Sequence, residues 1–71
     1  MKDYAVIYAW TGRNYSAHSP DVPGCIATGK TLEEVEHRFQ EALVFHLEGL
    51  REDGLPIPEP TTHVGHVAIA A

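Results

Sequence analysis

The chain has 71 residues, with five Lys or Arg against ten Asp or Glu and a single cysteine. That length allows one small domain, the lone cysteine excludes an internal disulfide, and no run approaches the ~20 apolar residues of a membrane span. With 44% hydrophobic and 21% charged residues the composition is that of a folded domain, and a net charge of −5 disfavours a phosphate backbone as direct partner and suits a basic protein. Below roughly 70–80 residues one core rarely supplies more than about 3–5 kcal/mol, which leaves a metal or self-association as the available support. Met1-Lys2-Asp3-Tyr4 has no long apolar run behind its basic residue, so the start does not read as a signal peptide and the expected compartment is cytoplasmic.

Tyr4 to Trp10 reads as a first strand, dense in β-branched and aromatic residues. Alternation places Tyr4, Val6, Tyr8 and Trp10 on one face and Ala5, Ile7 and Ala9 on the other. Both faces are apolar, so this strand is expected to be central or to meet another chain. The preferred orientation puts Tyr4, Val6 and Tyr8 toward the helix and Ile7 toward a neighbouring subunit. Thr11-Gly12-Arg13-Asn14 is a hairpin turn with Gly12 or Asn14 suited to positive φ. Tyr15 to Ser19 is a second strand, more polar and therefore expected nearer an edge. Pro20 and Pro23 cannot donate to a ladder, so pairing is expected to stop there and resume in a short third strand, Cys25 to Thr28.

Gly29-Lys30 breaks the strand. Thr31 is then an N-cap with Glu34 three residues on, the spacing of a capping box, and Glu33, Glu34 and Glu36 suit the positive end of a helix dipole. The helix is expected from Leu32 to about Asp53, with Gly54 at C′. Leu32, Val35, Phe39, Leu43, His46 and Leu50, flanked by Ala42 and Leu47, form one apolar stripe for the sheet. Gly49 within the helix suggests a close approach. Val44 and Phe45 fall outside the stripe, and a Phe on the outer face of a helix points to a subunit or partner contact. Leu55 to Pro60 carries three prolines and reads as an extended connector, and His63 to Ala70 as a last strand. The order is βββαβ: an α+β two-layer sandwich, one long helix on a small mixed sheet, spanning residues 1–71 as a single domain. With one helix for two sheet faces, the second face is expected to meet another copy.

No constellation of reactive groups emerges from the spacing, so neither an enzyme nor a bound cofactor or metal is expected. His63-x-x-His66 sits on a strand, where residues three apart point to opposite faces and do not make a metal pair. His46 lies on the apolar stripe as a packed residue, and His37 is solvated. Cys25 with a histidine lacks a third, orienting group and reads as a small core residue. The helix glutamates form a solvated face, with Glu34 and Arg38 spaced for an i,i+4 pair. The residues expected to touch a partner or a second copy are Phe45, Glu41 and Glu48 on the outer helix face, Asp21 in the rigid turn, and Ile7. Pro20, Pro23, Gly24, Gly29, Thr31 and Glu34 are expected to shape the chain.

Taken together, Tyr4-x-Val6, Tyr15-x-Ala17, Pro20-Asp21-Val22-Pro23-Gly24-Cys25, Gly29-Lys30-Thr31-Leu32-Glu33-Glu34, Glu41-Ala42-Leu43 and the Gly54…Pro56-x-Pro58-x-Pro60 run resemble the HicB-like antitoxin family. Val22, Lys30 and Val35 depart from that family's usual Leu, Asp and Ala. The resemblance implies a truncated ribonuclease H-like module of strand order 3-2-1-4, its last strand parallel to its first. It also implies a partner: a small basic HicA-like toxin that cuts messenger RNA, bound and blocked sterically. The C-terminal DNA-binding segment of many members has no counterpart in these residues, so direct nucleic-acid binding is not carried over, and self-association as homodimer or homotetramer is expected. The last strand, His63 to Ala70, has no acid, so the two-metal chemistry of a ribonuclease H is not expected either. The rival reading is an orphan oligomeric module, structural or regulatory, that binds another protein or a small ligand.

Overall fold

A computed structural model describes residues 1–71. Three strands precede one helix: β1 Ile7–Trp10, β2 Tyr15–Ser19, β3 Val22–Gly29 and α1 Leu32–Glu52. The sheet is antiparallel in the order β1-β2-β3. Ile7 opposes His18 and Trp10 opposes Tyr15 in the first hairpin, whose turn is closed by Thr11 N–H donating to Asn14 O at 2.9 Å with Gly12 at φ 101°. Asn14 keeps a negative φ, so only the glycine of the two candidates uses the left-handed region.

β2 is the central strand, not a near-edge one. Its polar residues Ser16 and His18 face away from the helix, while Ala17 and Ser19 are buried beneath it. β1 is correspondingly an edge strand, and all four of its ladder residues are exposed. The helix lies chiefly over β3 and β2 and reaches β1 only at Tyr8, which stands near Glu36, Phe39 and Leu43, so the outer edge of β1 and its other face are left open. Tyr4 and Val6 do pack on the core as expected, but they precede the ladder, because β2 runs out at Ser19 and Pro20 has no N–H to offer.

β3 begins at Val22, three residues before the expected start. Ser19 pairs with Val22 and His18 with Ile26, so Pro23, Gly24 and Cys25 form a bulge between two paired positions. The bulge resolves the difficulty posed by Pro23: it sits where the ladder is already interrupted, and Gly24 makes the turn at φ 86°.

Thr31 caps α1, its Oγ1 accepting from Glu34 N–H at 3.1 Å. The reciprocal half of the capping box is not made; the Glu34 carboxylate turns to Arg38, 2.7 Å away. The C-terminus closes with Gly54 N–H donating to Arg51 O and Leu55 N–H to Leu50 O, a Schellman arrangement with Gly54 at φ 69°. Val35 and Phe39 are the buried residues of the stripe, set against Ala17, Val22 and Cys25. Farther along, Ala42, Leu43, His46, Leu47 and Leu50 are only half-buried, and at the N-terminal end Leu32 is exposed. Gly49 meets no atom within 4 Å of its would-be Cβ, so it leaves space and does not mark a close approach. That role belongs to Gly29, where a Cβ would stand 2.8 Å from Val35 N.

The connector after α1 is tied to the body at two places. Tyr4 Oη–H donates to Pro58 O at 2.6 Å with Lys2 and Glu59 paired beside it, and Thr61 and Thr62 bind Asp21. The expected fourth strand is not part of the sheet within one chain. Residues 61 to 71 are exposed throughout and make no ladder.

Candidate functional site

Two surfaces and one clamp bring together the residues picked out by the sequence. On the outer face of α1, residues 37, 41, 45 and 48 recur at helical spacing. Phe45 is 79% exposed there. His37, Gln40, Glu41, Val44 and Glu48 line a shallow depression of about 420 Å³ beside its ring. His37 Nε2 lies 3.2 Å from Glu41 Oε1. The expected trio Phe45, Glu41 and Glu48 thus forms one continuous patch: an aromatic ring bordered by carboxylates.

Phe45 also borders a second groove, about 400 Å³, between β3 and the C-terminal half of α1. Cys25, Ile26, His46 and Gly49 line it. The space exists because Gly24 and Gly49 contribute no side chains where strand and helix diverge. Burial pushes the Cys25 thiol above its ordinary range. This is the opposite of an activated cysteine, whose thiolate must be stabilised, so the proximity of Cys25 and His46 does not make a nucleophile. No three His, Cys, Asp or Glu side chains converge as a metal site would require.

Ile7 sits apart from this patch, on the sheet face away from the helix. There Ile7, His18 and Ile26 form a row across the three strands. Asp21 is elsewhere again and its carboxylate is fully engaged. Oδ2 accepts Thr61 N–H at 3.1 Å and Thr62 N–H at 3.0 Å, while Oδ1 accepts the Thr61 and Thr62 hydroxyls at 3.0 and 2.9 Å. The Thr62 amide bond is the largest cause holding the Asp21 carboxyl below the usual range, with the other three assisting against partial desolvation. Sequence reasoning placed Asp21 in a rigid turn as a contact for a partner or a second copy and missed this clamp across 40 residues. Paired threonines directly after Pro60, in a segment without helix or strand signal, are the hint that was present.

Against known proteins, the family model described as the HicB_like antitoxin of bacterial toxin-antitoxin systems matches residues 4–69, nearly the whole chain. The chain belongs to the HicB-like antitoxin family. This HicB-like chain is 38% identical over 56 residues to the uncharacterized 14.9 kDa protein in the rep-hol intergenic region of Haemophilus phage HP1 (strain HP1c1). The match takes in 79% of the chain but 42% of that relative's length. Its fold is similar to a chain of the HicA3 and HicB3 toxin-antitoxin complex, with a TM-score of 0.72 and 28% identity, covering 84% of this chain and 70% of that one. The family assignment agrees with the motif order from Tyr4 to Pro60. No helix is long and apolar enough to cross a membrane.

Proposed function

We propose that this HicB-like protein is a non-catalytic antitoxin that binds a small basic HicA-like toxin and blocks it sterically, covering the surface that would meet messenger RNA. The observation that carries the reading is the likeness to a chain of the HicA3 and HicB3 toxin-antitoxin complex over 84% of these residues. Charge supports it, since the chain is acidic by five units and the exposed Phe45 is bordered by Glu41 and Glu48. An exposed aromatic ring suits an interface anchor, and carboxylates beside it speed encounter with a basic surface.

The protein acts in this reading as one HicB-like unit over residues 1–71, in the cytoplasm, without touching nucleic acid itself. It also self-associates, as dimer or tetramer, with Ile7 on the open sheet face among the contacts. Asp21 contributes indirectly by fixing the connector. A fourth strand, His63 to Ala70, laid parallel to β1 would complete the ribonuclease H-like order 3-2-1-4.

Calorimetric titration of the chain into a purified HicA-like protein tests the partner. The expected result is a complex at micromolar concentration that Phe45→Lys weakens by about tenfold or more, with the circular dichroism of the free chain unchanged. No heat of binding at those concentrations would overturn the reading.

A further inference from the structure

The body of this molecule ends at Thr62. Beyond the Asp21 clamp, Val64 (67%), Val67 (84%) and Ile69 (76%) stand in solvent. Residues 63–71 contain no Asp, Glu, Lys, Arg or Pro, and neither do residues 4–10. Exposed edges are ordinarily protected by such residues. An uncharged, β-branched segment without a ladder, and an apolar edge strand without a neighbour, therefore both occur in one chain.

The two do not meet within that chain, and the connector shows why. It passes the start of the first strand, where Tyr4 holds Pro58, and then crosses to the β2–β3 turn, where Asp21 holds Thr61 and Thr62. With strands ordered β1-β2-β3, that course leads away from the outer edge of β1. The other sheet edge is a poor acceptor. β3 carries Pro23 and a bulge, and its Thr28 carbonyl already accepts from Arg38 Nη1 at 3.1 Å.

The dimensions agree. The radius of gyration is 13.8 Å, against about 11 Å for a compact chain of this length. The accessible surface is 5642 Å², roughly 1,200 Å² more than a folded monomer of 7.8 kDa presents. A standard interface takes about 800 Å² from each partner.

We propose that two copies of this chain exchange C-terminal strands: residues 63–70 of each add to the outer edge of β1, including Tyr4 to Val6, in the other. The exchange pairs the open backbone groups of β1 with the facing half of those in residues 63–70 and brings the two apolar runs together. It deepens the self-association proposed above and does not depend on the toxin.

Sedimentation equilibrium of the full chain and of the double variant Val64→Pro, Val67→Pro is the test; the two positions are of opposite parity, so one of them loses a ladder donor whichever way the strand is turned. The expected result is a species of twice the chain mass or a multiple of it for the unaltered protein. The double variant is expected to lower that mass twofold with unchanged helical circular dichroism, because the segment touches nothing in the core. In a sample mixed from isotope-labelled and unlabelled chains, contacts between residues 64–70 and 4–10 should appear only between chains. A monomeric unaltered protein would overturn both self-association and strand exchange. An association that survives the double variant, or contacts found only within one chain, would overturn strand exchange alone.

Discussion

Gly29 and Gly49 show how differently one residue type acts at two places in the same small domain. A methyl group at Gly29 would lie 2.8 Å from Val35 N and 3.0 Å from Val35 Cα, and helix backbone cannot move aside as a side chain would. Gly49 has nothing within 4 Å and sits inside a helix, where glycine is about 0.5–1 kcal/mol worse than alanine. Thermal unfolding should therefore give opposite signs for the same change. Gly29→Ala is expected to destabilise by about 1–3 kcal/mol, and Gly49→Ala to stabilise by about 0.5–1 kcal/mol. Equal effects at the two sites would contradict the packing described. The difference was not legible in the sequence: Gly29 lies between Thr28 and Lys30 and Gly49 between Glu48 and Leu50, and only the seating of the first helical turn on the end of β3 separates them.

Among the elements, the helix was the most legible. Its cap, its stripe and its Gly54 stop are local signals, and the structure has it within one residue of the expected end. The first three strands were read correctly as strands, and their order 3-2-1, implied by the family resemblance, is that of the sheet, but His63 to Ala70 makes no ladder within the chain and hydrophobicity alone misplaced β1 and β2. Which strand is central depends on where the helix sits, and hydrophobicity alone made the exposed β1 look central and the buried-faced β2 look peripheral. The start of β3 was misread because a proline forbids a regular ladder but not a bulge. The connector was legible as extended, but its attachment was not, since Asp21 and Thr61–Thr62 are far apart in sequence. That attachment has a pH dependence. The Asp21 carboxyl is held below its usual range when bound, so the clamp contributes fully above the unfolded pKa and is lost as pH falls through the lower folded one. Amide exchange at Thr61 and Thr62, measured against its intrinsic rate at each pH, should stay slow at neutral pH and lose that protection only once the pH falls below the ordinary carboxylate range. Asp21→Ala should accelerate it at neutral pH. Fast exchange at pH 7 in the unaltered protein would contradict the clamp.

At the scale of the whole molecule, the chain buries seven of its 71 residues and leaves apolar groups on the outer helix, the open sheet face and the C-terminal segment. So little interior accounts for the expectation, drawn from length and a single cysteine, that other molecules complete this protein. The candidate contact patch was partly legible: Phe45 lies off the helical stripe, and its placement between Glu41 and Glu48 follows from 3.6-residue periodicity. The groove on the other side of Phe45 was not, because it is created by two glycines on separate elements. The family resemblance supplied what periodicity could not, the proposal of a basic HicA-like toxin as partner. In the proposed function this protein acts by occupying that toxin's surface. The decisive measurement is a titration of the chain against a HicA-like toxin cutting a defined messenger RNA. Cleavage should fall to nothing as the chain is added, at a ratio of the two proteins that rises with RNA concentration because both compete for one surface, and the chain alone should leave the RNA intact. Cleavage that continues undiminished past that ratio would contradict that reading.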